Sequence, residues 1–432
     1  MTTGNNMKKK VIFIELNEIN FDAVSFYIER GEYLLGFEKL IKKGIINTEA
    51  EAEYENLEPW VQWPSVHTGK TYDEHKVFRL GDFVNSTDQQ FFEQVEKAGF
   101  SVGAVSPMNA SNQLQNPAYF IPDPWTQTPC DNSFFSKSIT DAVVQAVNDN
   151  SQAKLTFKTI FNLGLAFIAL VKPSRYLSMA KYALGALSKP WRKALFLDML
   201  LYEIHKTLFM RKNPNFSTLF LNAGAHIQHH YFFNSKNIDN KKLQNPNWYI
   251  AKKYDPLDEA FNIYDKILGS YLSLKECNFM LATGLSQIPY DRIKYYYKLK
   301  KHEVFFDKFD LKYQNIFELM SRDFLIRFKN QTECTKAYKI VESISDNNNK
   351  KLFADIQIKE NDLFVSFVYD EEIKNQEVLV NNGNKIILKN FVNFVALKNG
   401  MHNEKGFIYF EDFRKDSRIR IENIKSEILK NI

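Results

Sequence analysis

The stretch that most constrains this chain is Leu219-Phe-Leu-Asn222-Ala-Gly-Ala-His226-Ile-Gln-His229-His230-Tyr231. Ser217–Leu221 reads as a buried strand, and it gives way to small residues and then to three of the chain's eight histidines. A strand that stops at a small-residue turn and opens onto a polar helix is the working unit of α/β sheets. Ligands of such sheets sit beyond the carboxyl ends of the strands. Asn222 and His226 are four apart and share one face of a helix started there, whereas His229 and His230 cannot both share that direction. The grouping is read as a site, not as an accident of a chain that is 15% aromatic.

The same unit opens the chain. Val11–Leu16 is a short apolar run of the kind found in buried parallel strands, and Glu15, Asn17 and Glu18 crowd its carboxyl end. Asp22 is placed to cap a helix that stops at Gly31, Phe37–Lys43 adds a helical turn, and Gly44–Ala52 reads as the next strand. A β-α-β start favours a right-handed crossover and a parallel sheet. Thr87–Ala98 reads as an amphipathic helix, Phe100–Val105 as a third strand, and Asn278–Ala282 as another that ends in Thr283-Gly-Leu-Ser286-Gln287. The expected fold is α/β, a doubly wound and mostly parallel sheet.

Two segments interrupt this pattern. Residues 133–216 turn helical, apolar and basic, with eleven Lys or Arg against Asp198 and Glu203 between Ser151 and Phe216, in a chain whose formal charge is only +5. Thr159–Val171 is almost unbroken apolar sequence, yet shorter than the ~20 residues that span a bilayer. Two readings stay open: a basic amphipathic surface in peripheral contact with an anionic membrane, or a helix packed on the sheet with a solvated lysine rim. Residues 337–398 read as strands (Tyr338–Ile344, Lys351–Ile358, Leu363–Tyr369, Val378–Val380, Ile386–Val395) with a hairpin turn at Asn381-Asn-Gly383-Asn. The expected division is 7–132 and 217–336 for the core, 133–216 for a helical cap, 337–398 for a β-rich insertion, and 399–432 for the last core elements.

Composition excludes some classes. At 44% hydrophobic and 25% charged the chain is an ordinary globular one. Cys130, Cys277 and Cys334 lie too far apart for a metal motif and read as reduced structural residues. The apolar run Val11–Ile14 is too short for a signal peptide, so a cytoplasmic location is expected, at the inner membrane face if the basic cap reaches a bilayer. No Gly-rich phosphate loop, zinc-finger spacing or nucleic-acid motif is present, and nucleic acid is not an expected partner. Pro107–Pro129 reads as a long surface loop, which at that length is functional or disordered.

Glu58-Pro-Trp60-Val-Gln62-Trp63-Pro64-Ser65-Val-His67-Thr68-Gly69 is too dense in tryptophan, proline and polar groups for a plain connector. Taken in order, the chain has a strand with a polar end, this Trp/Pro segment, a strand leading into Asn-x-x-x-His, a strand leading into a Gly turn, and a late Gly-x-His. That order resembles the alkaline phosphatase superfamily of phosphatases, nucleotide pyrophosphatase/phosphodiesterases, sulfatases and phosphonoacetate hydrolases. The resemblance implies two zinc-type ions held by Asp and His, which stabilise attacking and leaving oxygens together, and a Ser or Thr nucleophile. Carried over, the first-strand Asp is similar in place to Asn17, the nucleophile to Gln62 before Trp63-Pro64, and the Asp-x-x-x-His pair to Asn222 and His226. The Ser-Asp-His-Gly stretch falls on Ala282-Thr283-Gly284-Leu285, and the Gly-x-His on Gly400-Met401-His402.

Every carboxylate ligand and the nucleophile are therefore replaced at the matching positions, and amides are poor ligands for divalent metals. A two-zinc site is not expected; a single divalent metal is compatible, with His226 and His402 as its candidates. The candidate catalytic residues are His226, His402 and Glu15, and the candidate substrate-binding residues are Asn17, Gln62, Asn222, His229, Trp63 and Thr283. A different register leaves Glu15, Glu18, His229 and His230 able to supply another metal site. Ser65 is a shifted nucleophile candidate, but Ser65 and His67 diverge on a helix. Ser321-Arg322-Asp323 offers an arginine to an anion or a local ion pair, and Tyr295-Tyr296-Tyr297 reads as packing. What the resemblance implies is a hydrolase or transferase acting on an anionic small molecule, a phosphorylated or nucleotide-linked glycan. The alternatives are a catalytically inactive binding or regulatory protein that keeps the fold, and a scaffold built around the basic cap.

Overall fold

The computed structural model describes residues 10–51, 53–148, 157–238, 243–319, 322–380, 384–411 and 418–432. In chain order the first strands are β1 (Lys10–Leu16), β2 (Ile46–Glu49), β3 (Val102–Val105), β4 (Tyr119–Ile121), β5 (Phe216–Leu221) and β6 (Cys277–Ala282). Next come β7 (Ser286–Leu299), β8 (Asn315–Glu318), β9 (Asp323–Arg327), β10 (Phe353–Lys359), β11 (Asp362–Phe367), β12 (Glu377–Leu379) and β13 (Lys385–Ile387). The last are β14 (Val392–Asn403), β15 (Lys405–Tyr409) and β16 (Ile419–Arg420). The chain forms two compact units, one of residues up to Pro289 together with Gly400–Ile432, the other Tyr290–Asn399.

The first unit is built on an eight-stranded sheet in the order β16-β2-β15-β6-β1-β5-β3-β4. β1 lies at its centre, parallel to β5 on one side and β6 on the other. β15 alone runs antiparallel to its neighbours β6 and β2. Because strand side chains alternate, Ile12, Ile14 and Leu16 face one helical layer and Val11 and Phe13 the other, all of them buried. Burying each of these side chains contributes about 1.5–3 kcal/mol. The first layer contains helices Phe21–Glu29, Ala223–Tyr231 and Pro256–Leu272, and the second Pro59–Thr68, Phe91–Lys97 and Ile424–Lys430. This is the α/β, mostly parallel architecture expected from the sequence.

Local chemistry differs from expectation in several places. Asn20, not Asp22, caps the first helix, its carboxamide oxygen accepting from the backbone N–H groups of Asp22 and Ala23. Pro107–Pro129 is largely packed: it contains β4, and the buried Asp123 accepts from the backbone of Asn109, Trp125 and Thr126. Within 133–216 the last helix, Arg192–Lys212, is a core helix. It buries Leu195, Leu201, Ile204 and Leu208, and its His205 bridges the Tyr271 and Ser217 hydroxyls. Tyr338–Ile344, read as a strand, belongs to helix Gln331–Ser343. Asn330 caps that helix, and Cys334, Ala337 and Val341 recur on its buried face at helical spacing.

The second unit begins at Tyr290, earlier than the expected 337, because β8 and β9 already belong to its sheet. That sheet is antiparallel, in the order β10-β11-β9-β8, over a core rich in phenylalanine that includes Phe305, Phe306, Phe324 and Phe353. β12 and β13 pair antiparallel, while the Asn381–Gly383 turn between them lies outside the described residues. Among the described residues no helix is long and apolar enough to cross a membrane.

Candidate metal centre

The centre forms where β1 and β5 end side by side. Leu16 is in register with Leu221, so Asn17 and Asn222 emerge together, and the Asn17 amide donates to the Asn222 side-chain oxygen at 2.8 Å. Trp63 Nε1 donates to Asn17 Oδ1 at 2.7 Å and fixes the amide's orientation. The next residue, Glu18, adopts a left-handed backbone at φ 59°. That conformation costs a side-chain-bearing residue of order 1–3 kcal/mol and persists only where the surroundings enforce it. Here its N–H donates to Thr283 O at 3.0 Å and its carbonyl accepts from Gln228 Nε2 at 2.8 Å.

So turned, the Glu18 carboxylate meets two imidazoles. Glu18 Oε2 lies 3.2 Å from His229 Nε2 and 3.3 Å from His402 Nε2, and the two nitrogens are 3.3 Å apart. The carboxylate also accepts from Asn17 Nδ2 at 2.9 Å and from Gln287 Nε2. Burial pushes the Glu18 pKa up, but the His402 and His229 charges and hydrogen bonds outweigh it and hold the carboxyl well below the usual range. His229 Nδ1 donates to Gly400 O at 3.2 Å, which orients the ring with Nε2 toward Glu18. Gly400 admits no side chain, since a Cβ there would lie 2.2 Å from Gln287 Oε1 and 2.7 Å from Gln228 O. Glu18 is buried while His229 and His402 keep part of their surface in solvent, so the three donors face an accessible opening.

The triangle has the dimensions of a metal site. Donors about 2.0–2.1 Å from a tetrahedral zinc ion stand roughly 3.3–3.4 Å from one another, and three protein donors leave a fourth position open. Glu18, His229 and His402 meet that spacing from three distant parts of the chain. Of the positions aligned from the sequence with a two-ion site, Asn17 and Asn222 are hydrogen-bonded to each other.

The other expected residues fall as follows. His226 is exposed on the same helix and packs edge-on against His230 with ring centroids 4.8 Å apart; His229 is the histidine that meets His402. Glu15 shares the face of Asn17 but lies deeper, fully buried between His67 Nε2 at 3.2 Å and the Thr218 hydroxyl at 2.5 Å. Gln62 pins the preceding loop, donating to Asn56 O and accepting from Glu51 N. Thr283 Oγ1 accepts from Phe407 N at 2.9 Å and ties β6 to β15. Asn222 begins helix Ala223–Tyr231, whose first N–H groups donate to the buried Asp198; burial pushes that carboxyl up to about 6.

Ser65 Oγ lies 2.9 Å from His75 Nε2, but His75 Nδ1 accepts from Val77 N. The ring therefore carries its proton on Nε2 and donates to the serine, so it cannot serve as its base. Arg322 lies over the Tyr296 ring at 5.3 Å, Tyr295 and Tyr297 stack on each other, and Ser321 lies outside the described residues. The sequence named Glu18 only as an alternative ligand, and it gave no sign of Asp198 or Gln287 as supports.

No family model and no curated protein sequence matches the chain. Solved structures do. Phosphonoacetate hydrolase from Sinorhizobium meliloti 1021, in complex with phosphonoformate, is 10% identical with a TM-score of 0.45 over 98% of this chain and 96% of its own. Human ectonucleotide pyrophosphatase/phosphodiesterase 5 is 10% identical with a TM-score of 0.44, over 98% and 94%. The alkaline phosphatase PafA is 10% identical with a TM-score of 0.44, over 99% and 96%. What the site can do follows from its own residues.

Proposed function

We propose that this chain is a phosphoester hydrolase working with a single divalent ion, of zinc or manganese type, held by Glu18, His229 and His402. One observation carries the reading: three potential ligand atoms form a nearly equilateral triangle with edges of 3.2–3.3 Å, and one imidazole is oriented toward it by its Nδ1–H bond to Gly400 O. When bound, such an ion lowers the pKa of water and neutralises charge on a phosphoryl oxygen. The protein's share is orientation. Glu18 is fixed by its backbone turn and by Gln287, and Asn222 stands partly exposed beside the cluster with an amide for an anionic oxygen.

The position matching the superfamily nucleophile is Gln62, and the hydroxyls nearby, Ser65 and Thr283, are held by His75 and by Phe407 N. Water is therefore the nucleophile in this reading, with no phosphorylated protein residue. The substrate class is an anionic phosphoester of the phosphorylated or nucleotide-linked glycan kind. Metal analysis of the purified protein, with titration by zinc and manganese, tests the site. Hydrolysis of nucleotide sugars and of nitrophenyl phosphate mono- and diesters tests the reaction. One equivalent of metal per chain, lost in Glu18→Gln, with ester cleavage that follows occupancy, is the expected result. No uptake, or two equivalents, overturns it. One equivalent without cleavage of any of these esters leaves a metal-binding protein that keeps the fold and lacks the reaction.

A further inference from the structure

The two helices that precede Arg192–Lys212 carry their apolar residues on the wrong side for a soluble helix. In Phe157–Leu170, Ala166 and Leu170 are buried, yet Phe161, Leu165 and Ile168 are 67%, 40% and 67% exposed. Those three recur at i, i+4 and i+7, one continuous stripe facing solvent. Tyr176–Gly185 repeats the arrangement: Met179 is buried, while Leu177 and Leu184, together with Leu187 just beyond the helix, are 84%, 69% and 88% exposed. A short turn, Pro173–Arg175, joins the two helices, and both rest on Arg192–Lys212. The outward stripes therefore turn away from the body of the unit.

The charge around these stripes is one-sided. Lys172, Arg175, Lys181, Lys193, Arg211 and Lys212 are exposed. The segment's acids are engaged, Asp198 in capping helix Ala223–Tyr231 and Glu203 with Arg175 at 3.3 Å. A second copy of this face would bring like charges together, which disfavours a symmetric dimer. The outward apolar stripes are bordered by these cations, the arrangement of a helix that lies in an anionic bilayer interface.

We propose that Phe157–Leu187 is a docking surface for an anionic lipid bilayer, lying in its interface with the leucine and phenylalanine stripes among the acyl chains and the basic residues at the headgroups. Sedimentation of the full chain with vesicles of phosphatidylcholine, alone or mixed with phosphatidylglycerol, tests this at low and physiological salt. Binding is expected to the mixed vesicles and to weaken as salt rises. The combined Leu177→Ser, Leu184→Ser, Leu187→Ser variant, and separately Lys172→Glu with Lys181→Glu, should each lower the partition coefficient by about tenfold or more. Circular dichroism and Tm should stay unchanged, since these side chains are exposed. No binding of the wild type to anionic vesicles at low salt overturns the proposal. So does equal binding by the leucine variant, or a wild-type dimer that the leucine variant makes monomeric.

Discussion

The difference between His226 and His229 comes down to helix geometry. Helix Ala223–Tyr231 starts at Asn222, and one turn later His226 points to solvent, while His229, seven residues from Asn222, swings back over Glu18. The two histidines should therefore behave differently. Glu18→Gln and His229→Ala are each expected to weaken zinc binding by at least about 100-fold, since each removes a donor from a three-donor set. His226→Ala should leave affinity within about threefold, because it removes nothing that touches the triangle. Isothermal titration distinguishes these outcomes, and equal losses at His226 and His229 would count against the triangle as the site. Asn222→Asp tests the two-metal idea separately. It adds a carboxylate next to Asn17 but supplies no nucleophilic hydroxyl, so neither the metal stoichiometry nor the metal-dependent rate of nitrophenyl phosphate hydrolysis should rise above wild type. A second equivalent of metal, or a large gain in rate over wild type, would show a two-metal site assembled with other residues.

Strands were the most readable elements, because a central parallel strand must be apolar on both faces and carries its polar residues at its end. Val11–Leu16, Ser217–Leu221 and Asn278–Ala282 met that rule and became the three central strands. Alternation also placed Glu15 and Asn17 on one face, as the structure has them, but could not say that Glu15 would be consumed by His67 and Thr218. Glu18 was less legible, since its direction depends on a positive φ enforced by Thr283 and Gln228, residues more than two hundred positions away. Helix Gln331–Ser343 was misread because its β-branched and aromatic content suits strands, and the Asn330 cap with burial at helical spacing decided otherwise.

Helix Arg192–Lys212 carries a pH dependence of its own. Its His205 is fully buried between Tyr271 and Ser217, and burial lowers its pKa to about 3. In the unfolded chain this group titrates near 6.5, so the unfolded state binds more protons between these values. Stability is then full above the unfolded pKa and falls as pH drops toward the folded one, by roughly 3 kcal/mol at pH 4. Replacing His205 by Gln keeps polar groups toward both hydroxyls and removes the titration. Denaturant unfolding from pH 7 to pH 4 should show a shallower loss in the variant, and parallel curves would refute the assignment.

At the scale of the whole chain, the metal triangle joins three segments that are far apart in sequence. Glu18 follows the first strand, His229 follows β5, and His402 ends β14, after the chain has traversed the second unit. A ligand that binds only the folded arrangement stabilises it by RT ln(1 + [L]/Kd), about 2.7 kcal/mol at a hundred times Kd. For a unit of this size that corresponds to a rise in melting temperature of a few degrees. The donors all belong to the first unit, and none belongs to Tyr290–Asn399. Calorimetry with and without zinc should therefore shift the transition of the first unit. Any separate transition of the second unit should stay where it was. Glu18→Gln should abolish the shift without moving the second unit. A zinc-dependent rise that survives Glu18→Gln would place the bound ion elsewhere in the molecule, and the absence of any rise at saturating zinc would mean that the triangle holds no metal.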